Sequence, residues 1–233
     1  MIENTTPGNT NETQQVQVAA GALFLDGLLH IPEQAHGMVL LAQGSKHIES
    51  MAYASVLADA LHGAGLATLS VHLLTEDEEE LDADTLFFRD NISILSQRIL
   101  GITVWLLESP TTQNYSIGYF GTGPTGAAAL QAAAERPDTV HAIVAANGRL
   151  DLVRSHLKRI QAPVMLIAGE QDNEVVAMNR DALNDIPAPI EANKRFEIIG
   201  GATDADIFEK PEMLQKVTEL AGQWFSRHLV PIV

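Results

Sequence analysis

Apolar residues along this chain fall into short runs and longer helical stripes that alternate almost from end to end. Met38-Val39-Leu40-Leu41-Ala42, residues 66–71, residues 117–120, Ala142-Ile143-Val144-Ala145-Ala146, residues 163–168 and residues 195–199 are short and largely unbroken by polar residues. Runs of that kind predict strands covered on both faces, as parallel strands are. Between them lie stripes with helical spacing: residues 53–63 (Val56, Leu57, Ala60, Leu61, stopped by Gly63 and Gly65), 91–108, 126–134 and 213–228. Strand and helix in alternation specify an α/β fold, a doubly wound, mostly parallel sheet flanked by helices.

Ahead of that series, Val16-Gln17-Val18, Ala22-Leu23-Phe24-Leu25 and Gly27-Leu28-Leu29-His30-Ile31 predict an N-terminal antiparallel hairpin turned at Asp26-Gly27. Residues 1–14 are Asn, Thr, Gln, Glu and Gly with no apolar period, which predicts a flexible tail. Residues 15–233 are expected to form one α/β domain. Residues 72–84 read as an acidic loop leaving a strand.

Composition narrows the function classes. Hydrophobic residues make up 46% of 233, enough for a packed core and too many for a disordered chain. No apolar run reaches the roughly 18 residues of a membrane span, and no basic-then-apolar leader opens the chain, so the cytoplasm is the expected compartment. There is no cysteine, which removes disulfides and thiol catalysis. Thirty acidic residues against 14 basic ones give a net charge of −16. That field repels phosphate backbones and anionic lipid, so nucleic acid and membrane surfaces are not expected partners. A small molecule or another protein is, and a homo-oligomer stays open.

Cofactor signals are missing. The run Glu76-Asp77-Glu78-Glu79-Glu80, with Asp82 and Asp84, has no glycine where a twelve-residue calcium loop turns. No zinc spacing occurs. Residues 118–126 are glycine-rich, but no Lys-Ser/Thr follows them as a phosphate loop requires. No metal and no cofactor are expected.

The chemistry concentrates at Tyr119-Phe120-Gly121-Thr122-Gly123-Pro124-Thr125-Gly126, where a strand turns through glycines into an alanine-rich helix. This is the local layout of the Gly-x-Ser-x-Gly nucleophile elbow. Together with Gly118-Tyr119-Phe120-Gly121, Glu135-Arg136-Pro137-Asp138, Leu73-Leu74-Thr75 before the acidic run, and Trp224-Phe225-Ser226-Arg227-His228-Leu229, it resembles the dienelactone-hydrolase-like branch of the α/β-hydrolase superfamily over residues 16–229.

The resemblance implies a triad in the order nucleophile, acid, base. Its nucleophile position is Gly123, its acid is Asp172, and its base position, after the last strand, is Asp204. Relatives open the loop after an earlier strand with His-Gly, where this chain has Gln43-Gly44. The residue after the nucleophile lends its N–H to the oxyanion hole, and here it is Pro124, which has none. Glycine at the elbow also avoids a strain of roughly 1–3 kcal/mol that a side chain there bears. An ionised Asp204 is a poor proton shuttle.

These residues point to a hydrolase fold acting as a binding or interaction module. The alternative is a carboxylic-ester or lactone hydrolase with a different constellation, for example Asp172 or Asp204 with His47 or His72. Thr122 and Thr125 flank Gly123 but have no neighbouring base to activate them. Since open parallel sheets place ligands at the carboxyl ends of their strands, the expected binding residues are Gln43, Ser45, His47, His72, Thr122, Asp172 and Asp204.

Overall fold

A computed structural model describes residues 12–44, 48–187 and 193–231, with residues 48–51 described by their backbone alone. Eight strands form one sheet in the order β1-β2-β4-β3-β5-β6-β7-β8. The hairpin strands β1 (Gln14–Ala20) and β2 (Leu23–His30) pair antiparallel. Strand β2 in turn runs antiparallel to β4 (Ala67–His72). From β4 onward every pairing is parallel, through β3 (Met38–Gln43), β5 (Ile117–Thr122), β6 (Ala142–Ala146), β7 (Val164–Gly169) and β8 (Lys194–Ile199).

Every residue of β3, β6 and β7 is buried, because helices cover both faces of the sheet. One core lies under α3 (Ile92–Glu108) and α4 (Gly123–Glu135); the other lies under α1 (Ile48–Gly63) and α8 (Pro211–His228). Two further helices follow strands β4 and β7: α2 (Glu76–Thr85) and α6 (Asn173–Asp185). The short α5 (Arg154–Leu157) and α7 (Asp206–Glu209) complete the set. Among the described residues no helix is long and apolar enough to cross a membrane.

The hairpin turns elsewhere than expected. Its two-residue turn is Gly21-Ala22, with Gly21 at φ +72°, and Asp26-Gly27 lies inside β2. Gly27 is there for close packing: a Cβ on it would stand 3.3 Å from Ser70 O and from the methyls of Val16 and Val18. Strand β1 begins at Gln14, so the last residue of the expected tail is already paired with Leu29.

Nor are residues 72–84 a loop. Thr75 caps α2: its Oγ1 accepts from Glu78 N at 3.3 Å, while Glu78 Oε2 accepts from Thr75 N at 2.9 Å. The acidic first turn complements the helix dipole. Two of the carboxylates are engaged by arginine. Glu78 Oε1 accepts from Arg98 Nη2 at 2.5 Å, and Arg98 also donates to Leu73 O. Asp82, wholly buried, accepts from Phe88 N at 2.6 Å and Arg89 Nε at 2.5 Å. Burial pushes both carboxyls up, but the arginines and backbone N–H groups outweigh it and hold them below the usual carboxylate range.

Where α1 crosses the hairpin, the rings of His30 and His62 stack at 3.9 Å, and His62 Nε2 lies 2.8 Å from Thr68 Oγ1. Burial first, then the charge of His30, lowers the His62 pKa from 6.5 to about 4. The unfolded chain therefore takes up a proton at His62 before the folded chain does. Stability from this residue is full above pH 6.5 and is lost as pH falls from there through about 4. At a half-buried position the loss is about 1–2 kcal/mol. Urea unfolding at pH 7 and pH 4 is expected to show His62→Gln losing less stability than the parent over that interval; an equal loss would show that the stack carries no such linkage.

Candidate functional site

Strand β5 passes directly into α4 at the elbow, and backbone packing holds the junction. A Cβ on Gly121 would meet Thr125 C and O at 2.6 Å and Gly126 N at 2.7 Å, so only glycine lets the strand lie this close to the helix. Gly123 is the first residue of α4 and sits at φ +51°, in the left-handed region. A Cβ there would touch nothing within 4 Å. The turn therefore keeps the conformation and the free space of an elbow apex. The helix begins three residues before the expected Gly126, because Pro124 fits its first turn without needing a donor.

Both flanking threonines are occupied. Thr125 Oγ1 accepts from Thr122 N at 2.9 Å and donates to Thr122 O at 3.0 Å. Thr122 Oγ1 lies 3.3 Å from the hydroxyl of Tyr53 on α1. Burial, countered only in part by Thr122, raises the Tyr53 pKa, so this phenol stays protonated near neutrality and supplies no base. Sequence reasoning missed Tyr53. Its place one helix away, across 69 residues, leaves no local signal.

At the other end of the site, the loops after β7 and β8 are stitched together. Asp172 Oδ2 accepts from the backbone N–H of Asp204. Asp204 Oδ1 accepts from Gly169 N at 3.0 Å, and Asp204 O accepts from Asn147 Nδ2 at 2.7 Å. Glu170 Oε2 adds a bond from Gly201 N at 2.8 Å. Burial and the nearby Asp172 charge raise the Asp204 pKa, while the Gly169 N–H works against them. The resemblance placed Asp172 and Asp204 side by side, and they are in contact, through carboxylate and backbone rather than through two facing carboxylates. Asn147, missed as a site residue, takes φ +54° at the end of β6 to reach this loop; the Asn147-Gly148 pair is the sequence signal for it.

Two further expected residues lie elsewhere on the same edge. Gln43 and His72 end β3 and β4 and stand in register with each other. Strand β4 is four positions from β7, about 19 Å across the sheet, so a His72–Asp172 pair does not form. Ser45 and His47 lie outside the described residues.

With this geometry in place, known proteins give it a context. The family model described as the dienelactone hydrolase family matches residues 29–219. A crystal structure of a dienelactone hydrolase from Anabaena variabilis superposes with a TM-score of 0.88 at 42% identity, covering 95% of this chain and all of that one. The chain belongs to the dienelactone hydrolase family. Two Mycobacterium tuberculosis proteins, each named "Putative phosphoribosyl transferase", are 37% identical over 216 residues, which is 93% of this chain and 46% of theirs. The chain thus spans about half the length of these curated relatives. The strand order seen here brings the ends of β5, β7 and β8 to one edge, where Gly123, Asp172 and Asp204 lie.

Proposed function

We propose that this chain is a non-catalytic member of the dienelactone hydrolase family that uses the strand-end edge as a binding module. The observation that carries the reading is Gly123: the elbow apex is formed, at φ +51° with open space around it, and it presents no nucleophile. Pro124 withholds the next N–H, and the Asp204 carboxylate is committed to Gly169 N. A ligand at this edge would meet Gln43, Thr122, Asp172 and Asp204, with Ser45, His47 and His72 as further candidates. Two carboxylates favour a neutral or cationic ligand over an anionic one.

The phosphoribosyl transferase name of the longer relatives does not transfer readily. A phosphoribosyl donor brings phosphates, and the Asp172 and Asp204 carboxylates oppose them.

The test is Gly123→Ser. The new hydroxyl has room, but the left-handed backbone costs about 1–2 kcal/mol. Thermal melting is expected to fall accordingly, and turnover of p-nitrophenyl esters to stay at the parent's level, because neither a base nor the Pro124 donor returns. A variant that gains esterase activity overturns the reading, since it would show that the rest of the machinery is intact.

A further inference from the structure

A cavity of about 760 Å³ runs between α1 and the face of the sheet made by β1, β2 and β4. It reaches the strand-end edge at Gln43 and His72 and includes none of Gly123, Thr122, Asp172 or Asp204. We propose that this groove is a second binding site and that it takes an elongated aliphatic amine with a cationic group at each end, a diamine or polyamine.

The two ends of the groove each carry a carboxylate. At the strand-end edge, Gly27 pairs with Val71, which sets Asp26 level with His72, and His72 is in register with Gln43. At the far end, Asp59 stands one helical turn from His62, which lies against Thr68. From Thr68 to His72 the strand rises about 13 Å, a span suited to an extended chain rather than a compact ring.

The acceptors and the floor of the groove match such a chain. Gln43 is 5% exposed, lines the cavity, and its Oε1 has no hydrogen-bond partner. A buried acceptor without a donor is costly unless something supplies one, and an ammonium carries three. Between the two ends lie Leu28, 43% exposed, with Ala54 and Ala58 facing it from α1. They provide an apolar floor for methylene groups. The described residues lining the groove include no lysine or arginine, so its only groups able to carry positive charge are His30, His62 and His72, while an anion meets two carboxylates. Aliphatic amines are protonated near neutrality, as lysine is.

Titrating the isotope-labelled full chain with spermidine in physiological salt, followed by NMR, tests this. Saturable shifts confined to residues 54–62 of α1, to β1 and β2, and to Gln43 are expected. Asp59→Asn is expected to raise Kd at least fivefold. Leu28→Arg, which puts a fixed cation on the groove floor, is expected to raise it at least tenfold. Both positions are exposed enough for the variants to fold. Shifts scattered over the acidic surface and reproduced by magnesium chloride would reduce the effect to counterion binding and overturn the proposal. Affinity unchanged in both variants would overturn it too. Shifts at Thr122, Asp172 and Asp204 with the groove silent would move the amine to the strand-end site, ending the groove proposal while supporting the strand-end reading.

Discussion

p-Nitrophenyl acetate and simple lactones are expected to be hydrolysed no faster with this protein than with a heat-inactivated sample, and a fluorophosphonate probe is expected to leave it unlabelled. Loss of a serine nucleophile alone lowers kcat by about 10⁶ in the serine-protease case, and Gly123 has no side chain to replace it. What survives such a loss elsewhere comes from the oxyanion hole. Here Pro124 removes one of its donors, a change worth about 3–4 kcal/mol. The nearby hydroxyls do not compensate. Thr125 is bonded to both backbone groups of Thr122, and Thr122 faces the protonated phenol of Tyr53. Measured turnover that disappears in an Asp172→Ala variant would defeat this prediction, because it would show the acid position working within a reaction.

The largest structural effect is expected from Gly121→Ala. The added methyl would lie 2.6 Å from Thr125 C and O, so backbone meets backbone and no side chain can swing aside. Strand β5 is held on one side by β3 and on the other by β6, and the α4 residues nearest it are buried. Neither element has room to withdraw. Overpacking of this kind costs about 3 kcal/mol or more, which lowers Tm by about 6–12 °C in a chain of this size. Gly123→Ala, two residues along, enters open space and is expected to cost about 1–2 kcal/mol. Differential scanning calorimetry of the two variants gives the comparison. Equal losses would mean that left-handed strain, rather than the strand–helix contact, governs the elbow.

The contrast between those glycines also marks how far sequence patterns reach. The buried parallel strands were legible because their runs are apolar throughout, and all six predicted strands of that series are present within a residue or two. Helix α6 is not among the predicted helices; of its thirteen residues only Asn179 and Ala182 are buried. In the acidic segment the run of charges hides a helix, although Thr75 and Glu78 spell a capping box three residues apart. Asp26-Gly27 is a strong turn signal that tertiary packing against Ser70 overrides.

In the site, the elbow and the order of Gly123, Asp172 and Asp204 could be placed through the family resemblance. The partners that define their environment could not. Tyr53 meets Thr122 across 69 residues, and Asn147 meets Asp204 across 57. The groove beside α1 is assembled from four strands and a helix, with no motif of its own.

The Thr122–Thr125 pair has a consequence for the order of folding. Its two hydrogen bonds join residues three apart, so the turn closes with almost no loop entropy. The stitching of Asp172 to Asp204 spans 32 residues and must wait until β7 and β8 are both in place. The β5–α4 unit is thus the part of this edge suited to form first, a seed onto which β3 and β6 can dock. Seen this way, the glycine–proline turn is closed by contacts local in sequence that do not depend on any reaction.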